Sequence, residues 1–486
     1  MSDPSRDMDP ESFRRAGHAL VEWVARYLEE SERYPILPRV RPGEIRAALP
    51  EEAPEQGESI DTILADFDRV IVPGLTHWNH PGFFAYFAIS ASGPGVLAEL
   101  LAAALNQQAM LWRTSPSATE LEEVVLGWLR SLVRLPPAFE GVIYDTASVS
   151  SLHALAAARE AAVPEIKVRG LAGRDLPPLR VYCSEEAHSS IDKAVLLLGL
   201  GRDSLLKIPV DAAFRMRPDA LASAIRVDRA RGVMPVAVVA TVGTTSTTSV
   251  DPVVAIADVC EWEGVWLHVD AAYGGPAAMV PDCAWIFDGV ERADSVVLNP
   301  HKWLFTPFDL SACYCRRMDM VRTAFALTPE YLQTREAGTA RNLMDTGIQL
   351  GRRFRALKLW FVLRYFGAAG IRARLAEHVR LARRFASWVD HHPDFERLAP
   401  VPLSVVCFRA APRAVADADR AEREEALDAV NAALLDRVNA SGEAFLSHTR
   451  VGGRFALRLA IGHLRTTEAH VSRAWELLRA ALTTSP

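Results

Sequence analysis

The 486-residue sequence has no Cys-x-x-Cys pair. Its six cysteines (Cys183, Cys260, Cys283, Cys313, Cys315 and Cys407) are scattered, mostly inside apolar segments. Cys313 and Cys315 would share one strand face without metal-site spacing, so they read as buried thiols in a reducing compartment. No apolar run approaches the roughly 20 residues of a membrane span. The opening stretch, "MSDPSRDMDPESFRR", is acidic and polar where a signal peptide is apolar. A cytoplasmic protein with no membrane partner is expected. No basic tract stands out and the formal charge is -6, against the concentrated positive face that nucleic acid requires. Neither Gly-x-Gly-x-x-Gly nor Gly-x-x-x-x-Gly-Lys occurs, which removes the common nucleotide loops. His77 and His80 flank Trp78 without an acid or cysteine nearby, so no metal is expected there. Repeats and low-complexity tracts are absent as well.

What is present is ordinary for a well-packed protein: half the residues are apolar and 23% are charged. Length alone would allow about three or four domains, though large α/β enzymes run longer per domain. Residues 11 to 31 show helical apolar spacing, followed by a Pro-rich connection and a second helical piece near 58 to 71. This N-terminal part has too little apolar material for its own core and must pack on another domain or subunit. From about 85 to 375, helices alternate with short apolar runs. The strand candidates are 141–144, 179–183, 204–209, 235–243, 265–270, 295–299 and 311–315. Continuous apolar strands alternating with helices predict an α/β fold, a mainly parallel seven-stranded sheet covered on both faces. A long helical region through 371–392 leads to strand-like pieces at 402–408 and 454–461, with helices near 421–439 and 467–482. The expected division is an N-terminal helical segment over 1–84, a large domain over 85–375 and a small C-terminal α+β domain over 376–486.

Four polar positions fall at strand ends, where such sheets bind ligands. Thr146, Ala147 and Ser148 open a helix after "GVIY" and offer donors to a phosphate, although any capping sequence looks the same. His188, ahead of another helix, can lie over a ring or simply be a satisfied histidine. Asp270 closes the apolar run "VWLHVD", where a carboxylate needs a cationic partner, either a basic side chain or a protonated pyridine nitrogen. Ala272 is small enough to sit beneath a flat ring. Lys302, in "NPHKW", ends the next strand, so it and Asp270 face one crevice. A lysine amine there can condense with an aldehyde when burial or nearby cations keep part of it deprotonated. Asn299 and His301 flank it with phosphate donors. Aldehyde, pyridine nitrogen and phosphate together describe pyridoxal 5'-phosphate (PLP).

The segments "THWNHPGFFAYFA" (76–88), "TSPSATELEEVVLGWL" (114–129), "EEAHSSIDKA" (185–194), "LHVDAAYGG" (267–275), "NPHKWL" (299–304) and "LGRRFRALKLWFVLR" (350–364) occur in one order. In that order the chain resembles the aromatic-L-amino-acid decarboxylase family, the group II PLP-dependent decarboxylases, and its bacterial type most. The resemblance implies the fold type I, aspartate-aminotransferase-like architecture. Lys302 would then carry the cofactor, Asp270 would pair with its ring nitrogen and His188 would stack on the ring and orient the substrate carboxylate. Ala147, Ser148, Asn299 and His301 would surround the phosphate, with Thr146 beside them and Thr245 and Ala272 lining the cofactor. Trp78, Tyr86 and Phe87 would line the side-chain pocket, Met110 would come from the other subunit of an obligate homodimer, and Gly351 would leave room for the substrate ring. The aromatic and soft apolar lining favours an aromatic substrate. Ala88 and Ile89 stand where catechol-preferring relatives have proline and threonine.

One departure bears on the product. Counting back from Leu350, the position of the loop tyrosine that protonates Cα in the family is Leu343, and an aromatic common nearby is Thr346. Tyr331 matches the start of that loop rather than the proton donor. Decarboxylation to an amine is the first expectation, with His188, water or another group as proton donor. Decarboxylation-dependent oxidative deamination to an aldehyde, ammonia and hydrogen peroxide is the second. A PLP-bound scaffold with little turnover is the third.

Overall fold

The computed structural model describes residues 7–327, 336, 339–413 and 420–483. Tyr331 lies outside the described residues. Seven strands form the main sheet: β1 (Glu140–Tyr144), β2 (Leu179–Ser184), β3 (Leu205–Ile208), β4 (Met234–Thr241), β5 (Trp266–Asp270), β6 (Ser295–Leu298) and β7 (Ser311–Cys315). Each coincides with an apolar run read from the sequence. Their order is β1-β7-β6-β5-β4-β2-β3, and β7 alone runs against its neighbours. The central strands are buried on both faces, which is why they read as continuous rather than alternating.

Two apolar layers cover the sheet. Leu267, Val269 and Val296 belong to one, beneath helices that include Pro218–Ala230 and Val253–Glu263. Trp266, Val181 and Val239 belong to the other, beneath the helices Ala147–Ala162 and Ser190–Leu197. The in-register trio Thr241, Asp270 and Val297 brings the carboxyl ends of β4, β5 and β6 level. These ends form the floor of the crevice.

The helix Ala356–His391 leads away from the main sheet and is broken at Gly367, whose φ of 62° and ψ of 167° suit glycine. Beyond it lies a four-stranded antiparallel sheet ordered β10-β11-β9-β8, from β8 (Phe395–Arg397), β9 (Val405–Ala410), β10 (Ser447–Val451) and β11 (Arg454–Ala460). β9 and β11 were legible as strands; β8 is short and β10 alternates with polar residues. The segment 83–87 is laced onto this sheet: Phe84 N–H donates to Phe445 O (2.8 Å) and Ala460 N–H to Phe84 O (2.9 Å). That lacing brings Phe87 to the crevice. At the N-terminus, the helix Pro10–Glu29 is capped by Asp9, whose Oδ1 accepts from the Glu11 and Ser12 amides.

Candidate active site

Lys302 stands in the short helix Pro300–Trp303 that follows β6, half-buried at the base of the crevice. Its neighbours Pro300, His301 and Trp303 are buried, so its backbone is held on three sides. Burial pushes the amine below its usual pKa; Asp270 opposes that shift and Arg458 adds to it. Asp270 is 6% exposed, and its Oδ1 accepts from Ala272 N–H at 3.1 Å. The opposed pair leaves Lys302 more reactive toward a carbonyl than a surface lysine.

The floor beside them is built from small residues. Ala147, Ala272 and Val297 make one buried cluster, so helix start, β5 end and β6 end present methyl groups to one another. A flat ring fits over such a floor. At the helix start, Val149 and Ser150 amides already bond to Thr146 O, and the Thr146 side chain makes no capping bond. The amides before them point out of the helix, where the helix dipole favours an anion.

His301 Nδ1 accepts the Leu310 amide (2.9 Å), which leaves its Nε2 as the protonated nitrogen. Burial, with Lys302 adding, depresses its pKa to about 3, so it is a neutral donor. The Oδ1 of buried Asn299 has no protein partner among the described residues, and rotation of that amide can turn its N–H toward a bound anion. His188 Nδ1 accepts the Ser190 amide at 3.1 Å, so its Nε2 also carries the proton. Its ring is exposed at the crevice mouth, with a pKa lowered by the surrounding protein, raised by Asp270 and lowered by Lys302. These groups suit PLP: an amine for its aldehyde, a carboxylate for its ring nitrogen, a methyl floor, and donors for its phosphate.

Sequence reasoning missed Arg458. It projects from β11, is 4% exposed, and places Cζ 4.6 Å from the centre of the Phe87 ring. Lys302 Nζ lies 5.2 Å from the same centre. Arg458 Nε donates to Ser246 O (2.9 Å) and Nη1 donates to Tyr86 O, while Nη2 has no partner among the described residues. Tyr86 adopts φ of 50°, a conformation unusual for a tyrosine, and its amide donates to Ser447 Oγ (3.2 Å). Backbone strain at Tyr86 is thus held by the small sheet and aims Phe87 inward. Phe87 in turn stacks on Tyr273 (3.8 Å between centroids), and Tyr273 on Trp303 (4.7 Å).

The remaining expected pocket residues separate into two neighbourhoods. Trp78 stacks on Phe83 at 4.3 Å and Tyr86 at 6.0 Å, and Tyr86 is largely exposed. Met110 packs with Leu111 and Met344, and Gly351 adjoins Gln108. Thr245 is exposed on a turn before Ser246, the residue that holds Arg458. Leu343 is 1% exposed in the short turn Leu343–Thr346, and Tyr144 Oη donates to Thr346 O. His77 bonds Tyr27 Oη (3.1 Å) and stacks on Tyr34, which gives it a packing role. A cavity of about 570 Å³ nearby, lined by Trp23, Tyr27, Tyr34 and His77, contains none of the crevice groups.

Residues 42–411 match the pyridoxal-dependent decarboxylase conserved domain. The chain belongs to that family. It is 40% identical to the aromatic-L-amino-acid decarboxylase of Sus scrofa, covering 97% of this chain and 96% of that protein. It is 38% identical to the phenylacetaldehyde synthase of a Rosa hybrid cultivar, covering 98% and 95% respectively. A crystal structure of Oryza sativa TDC with PLP and tryptamine superposes with a TM-score of 0.94 at 37% identity, covering 98% of this chain and 99% of that one. This member of the pyridoxal-dependent decarboxylases is a PLP-dependent carboxy-lyase of the group II, fold type I architecture. Its cofactor is PLP. Among the described residues no helix is long and apolar enough to cross a membrane.

Proposed function

We propose that the chain decarboxylates an aromatic L-amino acid to the corresponding arylalkylamine and CO2. The observation that carries this reading is the crevice itself: the Lys302 amine lies over the ring of Phe87 and within the field of the Asp270 carboxylate. The relatives named for aromatic amino-acid decarboxylation, matched along nearly their whole length, support it. PLP, when bound, supplies the electron sink for the pair released as CO2 departs.

The chain's own residues supply attachment, alignment and electrostatics. Lys302 would be the amine that holds the cofactor through its aldehyde, and Asp270 the carboxylate that would favour a protonated ring nitrogen. Thr146, Ala147, Ser148, Asn299 and His301 hold the phosphate, while Ala272 and Thr245 line the cofactor. His188 would lie against the bound cofactor, with its Nε2–H free to hold and orient the substrate carboxylate. Phe87, with Trp78 and Tyr86 beside it, presents aromatic surface to the substrate side chain; Met110 and Gly351 complete that wall from a second subunit. His188, whose Nε2 carries the proton, is a candidate donor to Cα, which favours an amine product.

A second reading has a specific observation behind it. Leu343 stands where the family places a phenolic proton donor, and a hydrocarbon side chain donates no proton. The outcome would then be an aldehyde with ammonia and hydrogen peroxide, and the rose relative is named for an aldehyde product. Product analysis under air separates the two.

We propose further that the protein is a cytoplasmic homodimer, with residues 1–84 as its dimerisation segment, 85–375 as the PLP-binding domain and 376–486 as the small domain. All six cysteines are buried and unpaired, as in a reducing compartment. The helix Gly93–Leu105 leaves Leu97, Leu100, Leu101 and Leu105 exposed along one face, an apolar stripe that a second copy would cover.

A further inference from the structure

Alternate residues of a strand share a face, so the side of β5 that carries Asp270 also carries Trp266 and His268. His268 is wholly buried, yet it is polar. Its Nδ1 lies 2.9 Å from Ser295 Oγ on β6, and its Nε2 lies 3.1 Å from Ser151 Oγ. Ser151 is on the helix Ala147–Ala162, one turn past its start. Ser295 Oγ also accepts the Trp266 indole N–H at 2.9 Å.

Ser295 Oγ accepts from Trp266 and keeps a proton and a second lone pair, so the imidazole joins both hydroxyls in either tautomer. Burial keeps this ring neutral, with a pKa depressed to about 4 despite Asp270. Aliphatic residues would fill the same space without the desolvation cost of three buried polar side chains. What they would not supply is a fixed distance. Apolar contacts allow one element to slide on another, whereas a hydrogen bond weakens steeply beyond its optimal length.

We propose that His268 is a positioning residue that ties the phosphate-holding helix to the Asp270 strand, through Ser151 on one side and Ser295 on the other. The tie sets the separation between the two ends of the PLP site: the helix start at Ala147 and Ser148, and the carboxylate two residues beyond His268. This inference rests on the proposed roles of those two ends.

The decisive variant is Ser151→Ala, which removes one hydroxyl and places a good helix former in a helix. Apoenzyme is titrated with PLP, and the pH titration of the bound cofactor's visible band and the apoenzyme's melting temperature are recorded. Ser151→Ala should weaken PLP binding by roughly tenfold and shift the band's pH titration, while the apoenzyme stays folded and melts somewhat lower because His268 Nε2 loses its buried partner. His268→Gln, whose amide can still reach Ser151, should recover part of what His268→Leu loses. Unchanged PLP affinity and band titration in Ser151→Ala would overturn the proposal, and that variant decides alone if His268→Leu does not fold. Asp270→Asn is the control for the site: should it too leave affinity and band unchanged, the assigned roles of the two ends fail, and the tie with them.

Discussion

Lys302 and Arg458 approach the same aromatic ring, with Nζ 5.2 Å and Cζ 4.6 Å from the centre of Phe87. Two cations at one ring repel each other, and the one held by two backbone carbonyls keeps its charge. Arg458 therefore favours the free amine of Lys302, which is the form that reacts.

Replacing Arg458 tests that relationship. Arg458→Met removes the cation and keeps much of the volume, so Lys302 should titrate at higher pH. The rate at which apoenzyme captures PLP should fall at neutral pH, and its pH profile should move to the alkaline side. Stopped-flow absorbance across a pH series reads this directly. A profile identical to the parent's would mean that Arg458 acts only as a strut for Tyr86 and Ser246.

Lys302→Ala should abolish covalent PLP attachment, seen as loss of borohydride-trapped cofactor by mass spectrometry, and reduce turnover by roughly 10³-fold or more. Asp270→Asn should retain attachment but lower kcat by roughly 100- to 1000-fold, because a preorganised charge at the ring nitrogen is lost. Equal effects of both variants on attachment would contradict this division of labour.

Stability should fall on mild acidification. His80, His153, His268 and His378 are held near 4 by burial, and His301 near 3, against an ordinary value of 6.5. Unfolding lets each take up a proton at pH values between these limits, so the unfolded chain binds more protons there. Their contribution is intact above pH 6.5 and is lost as pH falls toward 4. Asp251, raised to about 7 by burial, works in the opposite direction, as do Glu123 and Glu186. His77, His188 and His463, also lowered, join the histidines, so eight groups stand against three. Urea midpoints should therefore decline from pH 7 to pH 4.5, and a flat or rising series would refute the balance.

Leu343 is a packing residue in this chain. Leu343→Ala should destabilise by about 2–4 kcal/mol, as a buried leucine does, and leave the ratio of amine to aldehyde unchanged. Denaturant melts and product chromatography check the two halves. A changed ratio would place Leu343 against the reacting carbon.

Much of this was readable because the main sheet is buried on both faces. Runs such as "VWLHVD" and "SVVLN" are continuous and end in Asp270 and Asn299, so strand and crevice group arrive together. The break at Gly367 falls just ahead of the helical region read at 371–392. β10 was missed because "SHTRV" is polar and largely solvent-facing, and β8 because three residues carry no period. Arg458 was missed for a different reason. Within "RFALRLA" an arginine reads as the solvent side of a strand, and its burial depends on residues 83–87 crossing from far away in the sequence. The strain at Tyr86 is equally non-local, imposed by Arg458 and Ser447.

The most direct test of the central claim is carbon and oxygen stoichiometry. The PLP-loaded protein is incubated under air with phenylalanine, tyrosine, tryptophan, DOPA and 5-hydroxytryptophan, and CO2, amine, aldehyde, peroxide and O2 are measured together. The account predicts rapid CO2 release from at least one of them, one amine per CO2, and no O2 uptake. CO2 matched by aldehyde, peroxide and O2 consumption would contradict the amine product, and no CO2 from any of the five would contradict aromatic decarboxylation itself.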